Sequence, residues 1–328
     1  MALIIMEHLY KSPYILIKQN IITNSLFRIG AFNLNSNTAP RGTTCTKLRG
    51  NITINRDCLT VVISDYEQLN SGLRTSTFKL FDALVLWFTN HDNDPDVLLP
   101  IKDYMSLCSV SDMRYTRSKV LEDLQVLNAI SISYNSKNSK KKNSKNYIGI
   151  KIMSEQTVRN GIIRIHFTET FSEMLKTAPV MPYPLKIFSI RSDKFPNAFY
   201  ILRRIIEHKN MNFGKANENT ISVKTLLNAC PIIPLINTVR QSSNPTPYNR
   251  IILPFLRDLQ EACYRIGIQS CDYRLVYRGK ELSENEIKEL SYEDFYSDIN
   301  LHFLGTWIDY PSRKKTHYKK LQKGSVIS

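Results

Sequence analysis

No C-x-x-C pair occurs in this chain, and its six cysteines, at 45, 58, 108, 230, 263 and 271, have no histidine at zinc-finger spacing. A zinc site would have to be assembled from distant segments, so free, mostly buried thiols are the expectation. No G-x-x-x-x-G-K-[ST] string is present either: Gly214-Lys215 and Gly279-Lys280 both lack the upstream glycine, and no phosphate cradle of the ATPase kind is visible. His8, His91, His166, His208, His302 and His317 never form His-x-His or H-E-x-x-H, the paired-imidazole patterns of metal-dependent nicking enzymes and zincins. The string "DNDPDV", Asp92 to Val97, starts like a calcium loop. Val97 stands where glycine makes the turn, and Asp103 replaces the bidentate glutamate, so it reads as a connection between elements. Long apolar runs are missing too. "MALIIMEHLYKSPYILIK" has five apolar residues before Glu7 and His8 interrupt, too short for a signal segment, and nothing else approaches membrane-spanning length. The expectation is a soluble protein of a reducing cytoplasm, with no cofactor, no metal, no enzymatic site and no membrane.

What is abundant is positive charge. The 328 residues hold 44 Lys and Arg against 29 Asp and Glu, a net charge of +15. That balance speaks about partners rather than fold, with nucleic acid first and an anionic membrane second. A hydrophobic content of 42% is ample for packing, and the length suggests two domains with an additional arm.

Residues 1–70 read as an N-terminal arm, with a hairpin in "LRGNITINRDCLTVVIS". From Thr75, "TSTFKLFDALVLWFTNH" places Phe78, Phe81, Leu84, Val85 and Phe88 at helical spacing behind a Ser/Thr cap, and "DNDPD" ends the helix. "VLLPIKDYMSLCSV" reads as a short strand leading into a helix. "SDMRYTRSKVLEDLQVLNA" reads as a further helix, capped by Ser111 or Asp112, with Val120, Leu121, Leu124 and Leu127 on its buried side. In "AISISYNSKNSKKKNSKNYIGIKIM" two alternating segments flank a loop that crowds Lys137, Lys140, Lys141, Lys142 and Lys145. Five ammonium groups so close repel one another unless an anion lies against them. A further strand, "GIIRIHFTE", follows the Asn160-Gly161 turn. Helix, short strand, helix, turn, helix and hairpin make the order of a winged helix-turn-helix, with the lysine loop as its wing.

The second half repeats the plan. "NAFYILRRIIEHKNM" precedes "NTISVKTLLNACP", which parallels "LPIKDYMSLC". "PYNRIILPFLRDLQEACYRIGI" parallels "MRYTRSKVLEDLQVLNAI", setting Leu121, Asp123, Leu124 and Gln125 beside Leu256, Asp258, Leu259 and Gln260. Strands "QSCDYRLVYRG" and "INLHFLGTWID" follow, separated by an acidic helical insertion at 283–298. The fold expectation is therefore α+β: an arm (1–70), two tandem winged helix-turn-helix domains (71–178 and 185–311) and a basic tail (312–328). The prolines of "KTAPVMPYPLK" mark the link.

In such a fold the second helix of the motif enters the major groove. With its leucines inward, residues 113–127 present Arg114, Tyr115, Ser118 and Lys119 outward, with Arg117 at the flank. Arginine can grip guanine O6 and N7 together, while lysine, serine and tyrosine reach phosphates or single base edges. In the second half Arg250 and Arg257 point away from Leu256, Leu259 and Cys263. Pro254 either bends that helix or starts it, leaving Arg250 in the turn. All five loop lysines on phosphates would give a salt slope of about −4.5.

The segments "LRTSTFKLFDALVLWFT", "KNMNFGKANENTISVKTLLNACP", "RIILPFLRDLQEA" and "TWIDYP" resemble replication initiator proteins carried by plasmids and integrated mobile elements of low-GC Gram-positive bacteria. The likeness spans roughly residues 60–311. It implies recognition of repeated double-stranded DNA sites at an origin without catalysis, local duplex opening, recruitment of host helicase and polymerase, and often a homodimer that represses its own gene. The matching positions are the two reading helices, with Arg114, Arg117, Lys119, Arg250 and Arg257; the acidic insertion and the first 60 residues depart from the pattern. A transcriptional regulator with the same surfaces, or a DNA-nicking replication enzyme, are the alternatives.

Overall fold

In the computed structural model, which describes residues 14–19, 21–30, 42–56, 58–135, 147–243, 245–266 and 273–303, helices and sheets are mixed in an α+β arrangement. The chain divides into two units, Leu16–Pro179 and Val180–Ser328 with Met1–Ile15. Among the described residues, no helix is long and apolar enough to cross a membrane.

The first unit begins with a short helix, α1 (Ile21–Ile29), and three strands, β1 (Thr44–Leu48), β2 (Asn51–Arg56) and β3 (Leu59–Ile63). Alternation puts Ile52, Ile54, Leu59, Val61 and Ile63 inside. Strands β1 to β3 thus belong to a sheet of the first unit rather than to a separate arm, and the expected hairpin is β2 with β3. Next comes α2 (Thr75–Asn90), buried at every position from Thr77 to Phe88. One apolar face was the expectation; burial all round is what a central helix requires. Its rings meet several neighbours: Phe78 lies 4.9 Å from Phe27 of α1, and Phe88 lies 5.7 Å from Phe167.

Strand β4 (Asp96–Pro100) leads directly into α3 (Ile101–Cys108), and after four residues α4 (Met113–Ala129) follows. Asp92 to Asp94 merely connect α2 to β4, with Asp92 and Asn93 at positive φ. Beyond α4 come β5 (Ile130–Tyr134), β6 (Tyr147–Lys151), β7 (Met153–Arg159), β8 (Ile162–Phe167) and α5 (Glu169–Lys176). These strands belong to two antiparallel sheets, one ordered β1-β2-β3-β5-β6 and the other β4-β8-β7. The lysine-rich segment therefore joins β5 to β6 in the larger sheet. The hairpin that follows α4 in the smaller sheet is β7–β8, turned by Asn160 (φ 52°) and Gly161 (φ 73°). Both left-handed positions are what a two-residue hairpin turn demands. The lysine loop, expected to be the wing, and the hairpin that pairs with β4 are therefore different segments: strand alternation located both strands beside the loop but could not say which sheet they join.

The second unit runs α6 (Ala198–Met211), β9 (Thr220–Ser222), α7 (Val223–Leu227), α8 (Ile236–Arg240), a π-helical turn (Tyr248–Ile252) continuous with α9 (Leu253–Ile266), β10 (Tyr273–Tyr277), β11 (Lys280–Glu281), α10 (Glu284–Glu289), α11 (Tyr292–Ser297) and β12 (Ile299–Phe303). Its sheet is ordered β9-β12-β10-β11. Setting β11 aside, first strand beside last, and last beside middle, repeats the order β4-β8-β7. Two differences separate the units. Residues 228–247, with α8 among them, replace the four-residue turn of the first unit, and α10 with α11 interrupts the final hairpin. Pro254 has no N–H for the preceding turn, and the wider π turn absorbs that loss while keeping the helix continuous.

A buried aspartate recurs in both. Asp123 of α4 accepts from the Thr77 hydroxyl (2.6 Å) and the Arg74 guanidinium (2.9 Å) at the start of α2. Asp258 of α9 accepts from the backbone N–H and side-chain amide of Asn197, both at 2.9 Å, at the start of α6. The shared L-x-D-L-Q string thus encodes one device: a carboxylate on the later helix satisfies donors at the N-terminus of the earlier one.

Candidate nucleic-acid interface

The turn into α4 is short because Ser109 adopts the left-handed region (φ 54°) and ends α3. Asp112 then caps α4, its carboxylate accepting from the Tyr115 N–H at 2.9 Å. Thr116, Val120, Asp123, Leu124 and Leu127 form the buried stripe. The opposite stripe, at i, i+3, i+4, i+7 and i+11, is Arg114, Arg117, Ser118, Leu121 and Gln125, all exposed. Leu121 therefore departs from its expected inward place: it is 40% exposed, while Val126 takes an interior position.

Neither Arg114 nor Arg117 makes an ion pair among the described residues. Tyr115 is exposed beside them. Lys119 differs: its ammonium pairs with Glu122 at 3.1 Å and lies over the Tyr115 ring. Arg74 also bonds Glu122, at 3.0 Å. Burial pushes the Glu122 carboxyl up, but hydrogen bonds from Lys119 and Arg74 outweigh it and hold Glu122 below the usual range. Burial dominates at Asp123, which stays raised despite the nearby Arg74 charge. The inner side of α4 is thus clamped to α2, so the outer stripe sits on a fixed platform.

Helix α4 packs along β7. On the β7–β8 hairpin, Ile163, Ile165 and Phe167 face the core, and the alternate positions place Arg164 and Arg159 outward. Arg164 lies opposite Thr157, and Arg159 opposite Ile162. Neither guanidinium has an ion-pair partner among the described residues. Sequence reasoning passed over both, its attention being on the lysine loop; the signal was the Asn160-Gly161 turn between them. Lys137, Lys140, Lys141, Lys142 and Lys145 lie outside the described residues, as does the tail at 312–328.

In the second unit Arg250 donates to the Ser242 hydroxyl at 2.6 Å. Arg257 holds the buried carboxylate of Asp258, with Nη2 at 3.1 Å, and packs over the Phe195 ring. The two guanidiniums are thus engaged within their own unit. Asn249 in the preceding π turn and Gln260 on α9 are exposed polar side chains with no side-chain hydrogen bond or ion pair among the described residues.

The described cysteines are free, Cys230 and Cys263 buried and Cys45, Cys58 and Cys108 partly exposed, fewer buried than expected. No group of three or more His, Cys, Asp or Glu that could hold a metal occurs among the described residues.

No protein-family model matches the chain, and no curated protein matches it. Among solved structures it is similar to RctB domains 2–3 (RctB-155-483), at 11% identity and a TM-score of 0.41, over 84% of this chain and 95% of that one. A second structure of domains 2 and 3 of RctB, from selenomethionine derivatives, gives 11% identity and a TM-score of 0.43, over 82% and 93%. Likeness of this degree carries no argument about what the chain binds.

Proposed function

We propose that this chain is a tandem winged-helix protein that binds double-stranded DNA sequence-specifically at a replication origin and starts replication of a plasmid or mobile element without catalysing a covalent step. The observation that carries the DNA reading is the exposed stripe of α4, where Arg114 and Arg117 stand without carboxylate partners among the described residues on a helix clamped from behind. The repeated strand and helix order of the two units supports the winged-helix assignment, and a net charge of +15 suits a polyanion.

In this reading Arg114 grips a guanine edge, with Ser118 and Leu121 beside it. Leu121, apolar and exposed, suits a thymine methyl group. Arg117, Tyr115 and Lys119 contact the backbone, Lys119 by exchanging Glu122 for a phosphate. Arg159 and Arg164 form the wing contacts, and the five lysines between β5 and β6 add sequence-independent affinity. Origin opening, recruitment of host helicase and polymerase, and dimer formation follow from the resemblance to plasmid initiators.

Chemical footprinting of unpaired thymines on a supercoiled origin plasmid tests the whole. An initiator exposes reactive bases beside its protected repeats. Protection without reactive bases marks a transcriptional regulator, and magnesium-dependent nicking or a covalent tyrosine adduct marks a nicking enzyme.

A further inference from the structure

The second unit repeats the order of the first, yet its reading helix borders carboxylates contributed by the segment after β10. An open groove of about 940 Å3 is lined by Asn249, Arg257 and Gln260 from the π turn and α9, by Arg274 of β10 and Glu281 of β11, and by Glu284 and Lys288 of the insertion. Residues 281–298 hold seven carboxylates against the single Lys288. Four of those carboxylates take cations of the same unit. Arg274 pairs with Glu281 at 2.8 Å, Lys280 with Glu286 at 2.6 Å, Arg278 with Asp298 at 3.3 Å and Arg240 with Glu293 at 2.6 Å.

Each pair is solvent-exposed, and exposed pairs contribute only about 0–1 kcal/mol to stability. Their larger effect is on the local potential. A phosphate seated at this hairpin would have to displace Glu281, Glu286 or Asp298 and then lie near Glu284. At the first unit's hairpin, Arg159 and Arg164 have no such partners among the described residues. The Glu286 carboxyl is held down to about 2, first by the Lys280 bond and then by those from Ser283, so it keeps its charge at any physiological pH.

We propose that the insertion between β11 and β12 closes the reading face of the second unit to duplex DNA, so that α4 alone reads the sequence and the two winged-helix units divide their labour. The inference rests on the DNA-binding reading above, and it replaces the expectation that Arg250 and Arg257 contact DNA.

Charge insertion on each helix tests it in the full chain. The double variant Ser118→Asp/Gln125→Glu places carboxylates on α4; Asn249→Asp/Gln260→Glu places them on the matching surface of the second unit. All four are exposed positions, so the fold should tolerate the changes, with thermal melting as control. The expected result is loss of origin-duplex affinity by about tenfold or more for the α4 pair and a change of less than about twofold for the other. A third variant, Glu281→Gln/Glu284→Gln/Glu286→Gln/Glu293→Gln/Asp298→Asn, should bind random duplex at least about fivefold more tightly. Equal losses from the two pairs, or no gain from the amide variant, overturns the inference while leaving DNA binding intact. If both pairs leave binding unchanged, neither helix reads the duplex and the inference is overturned. A wild-type chain that binds no duplex overturns the DNA reading and this inference together.

Discussion

The carboxylate of Asp258, fully buried on α9, accepts hydrogen bonds of 2.9 Å from both the backbone N–H and the side-chain amide of Asn197 at the start of α6. Asp123 does the equivalent for α2 through Thr77 and Arg74. Removing either acceptor leaves buried donors without partners, at ~1–3 kcal/mol for each group. Asp258→Ala should therefore cost about 2–5 kcal/mol in urea unfolding, and Asp258→Asn less, because its carbonyl can still accept. A cost below about 0.5 kcal/mol for the alanine variant would show that the carboxylate does not organise the helix start.

That relationship shows how much was legible beforehand. The L-x-D-L-Q match between the halves was visible in the letters, and the order of helices and strands with it. What the aspartates do was not, because a carboxylate between leucines reads equally well as a polar edge. Leu121 is the converse case. It sits one position from the buried stripe, and hydrophobicity alone assigned it inward, whereas the 3.6-residue period carries it to the exposed side with Arg114 and Arg117. The lysine loop misled for a different reason. Local alternation identifies strands but not their partners, and β5 pairs with β3, about 70 residues earlier in the chain, so the loop belongs to a different sheet from the β7–β8 hairpin. The β2–β3 hairpin was legible from alternation, but its place in the larger sheet beside β5 was not, for the same long-range reason.

Arg159 and Arg164 are assigned to phosphates, so Arg159→Ala/Arg164→Ala should weaken binding to cognate and random duplexes alike. The slope of log K against log salt should become shallower by about 1.8, since each neutralised phosphate contributes about 0.9. An unchanged slope would remove this hairpin from the interface.

Glu286 gives a pH signature of the insertion. Its folded carboxyl titrates at about 2 against an ordinary 4.5, so the unfolded chain binds the proton first as pH falls. The stability it contributes is present above pH 4.5 and is lost progressively as pH drops toward 2. Glu286→Gln should flatten that part of the stability profile, read by urea unfolding across the window. A variant with the wild-type slope would show that Lys280 and Ser283 do not hold this carboxylate in solution.

The most direct measurement compares Arg114→Ala with the wild-type chain on an origin-repeat duplex and on random duplex at one salt concentration. Base reading by Arg114 predicts a loss of about 1–3 kcal/mol on the origin repeat with little change on the random sequence, because a bidentate guanine contact discriminates by that amount. Equal losses on both duplexes, or none on either, would contradict the account that α4 reads the DNA.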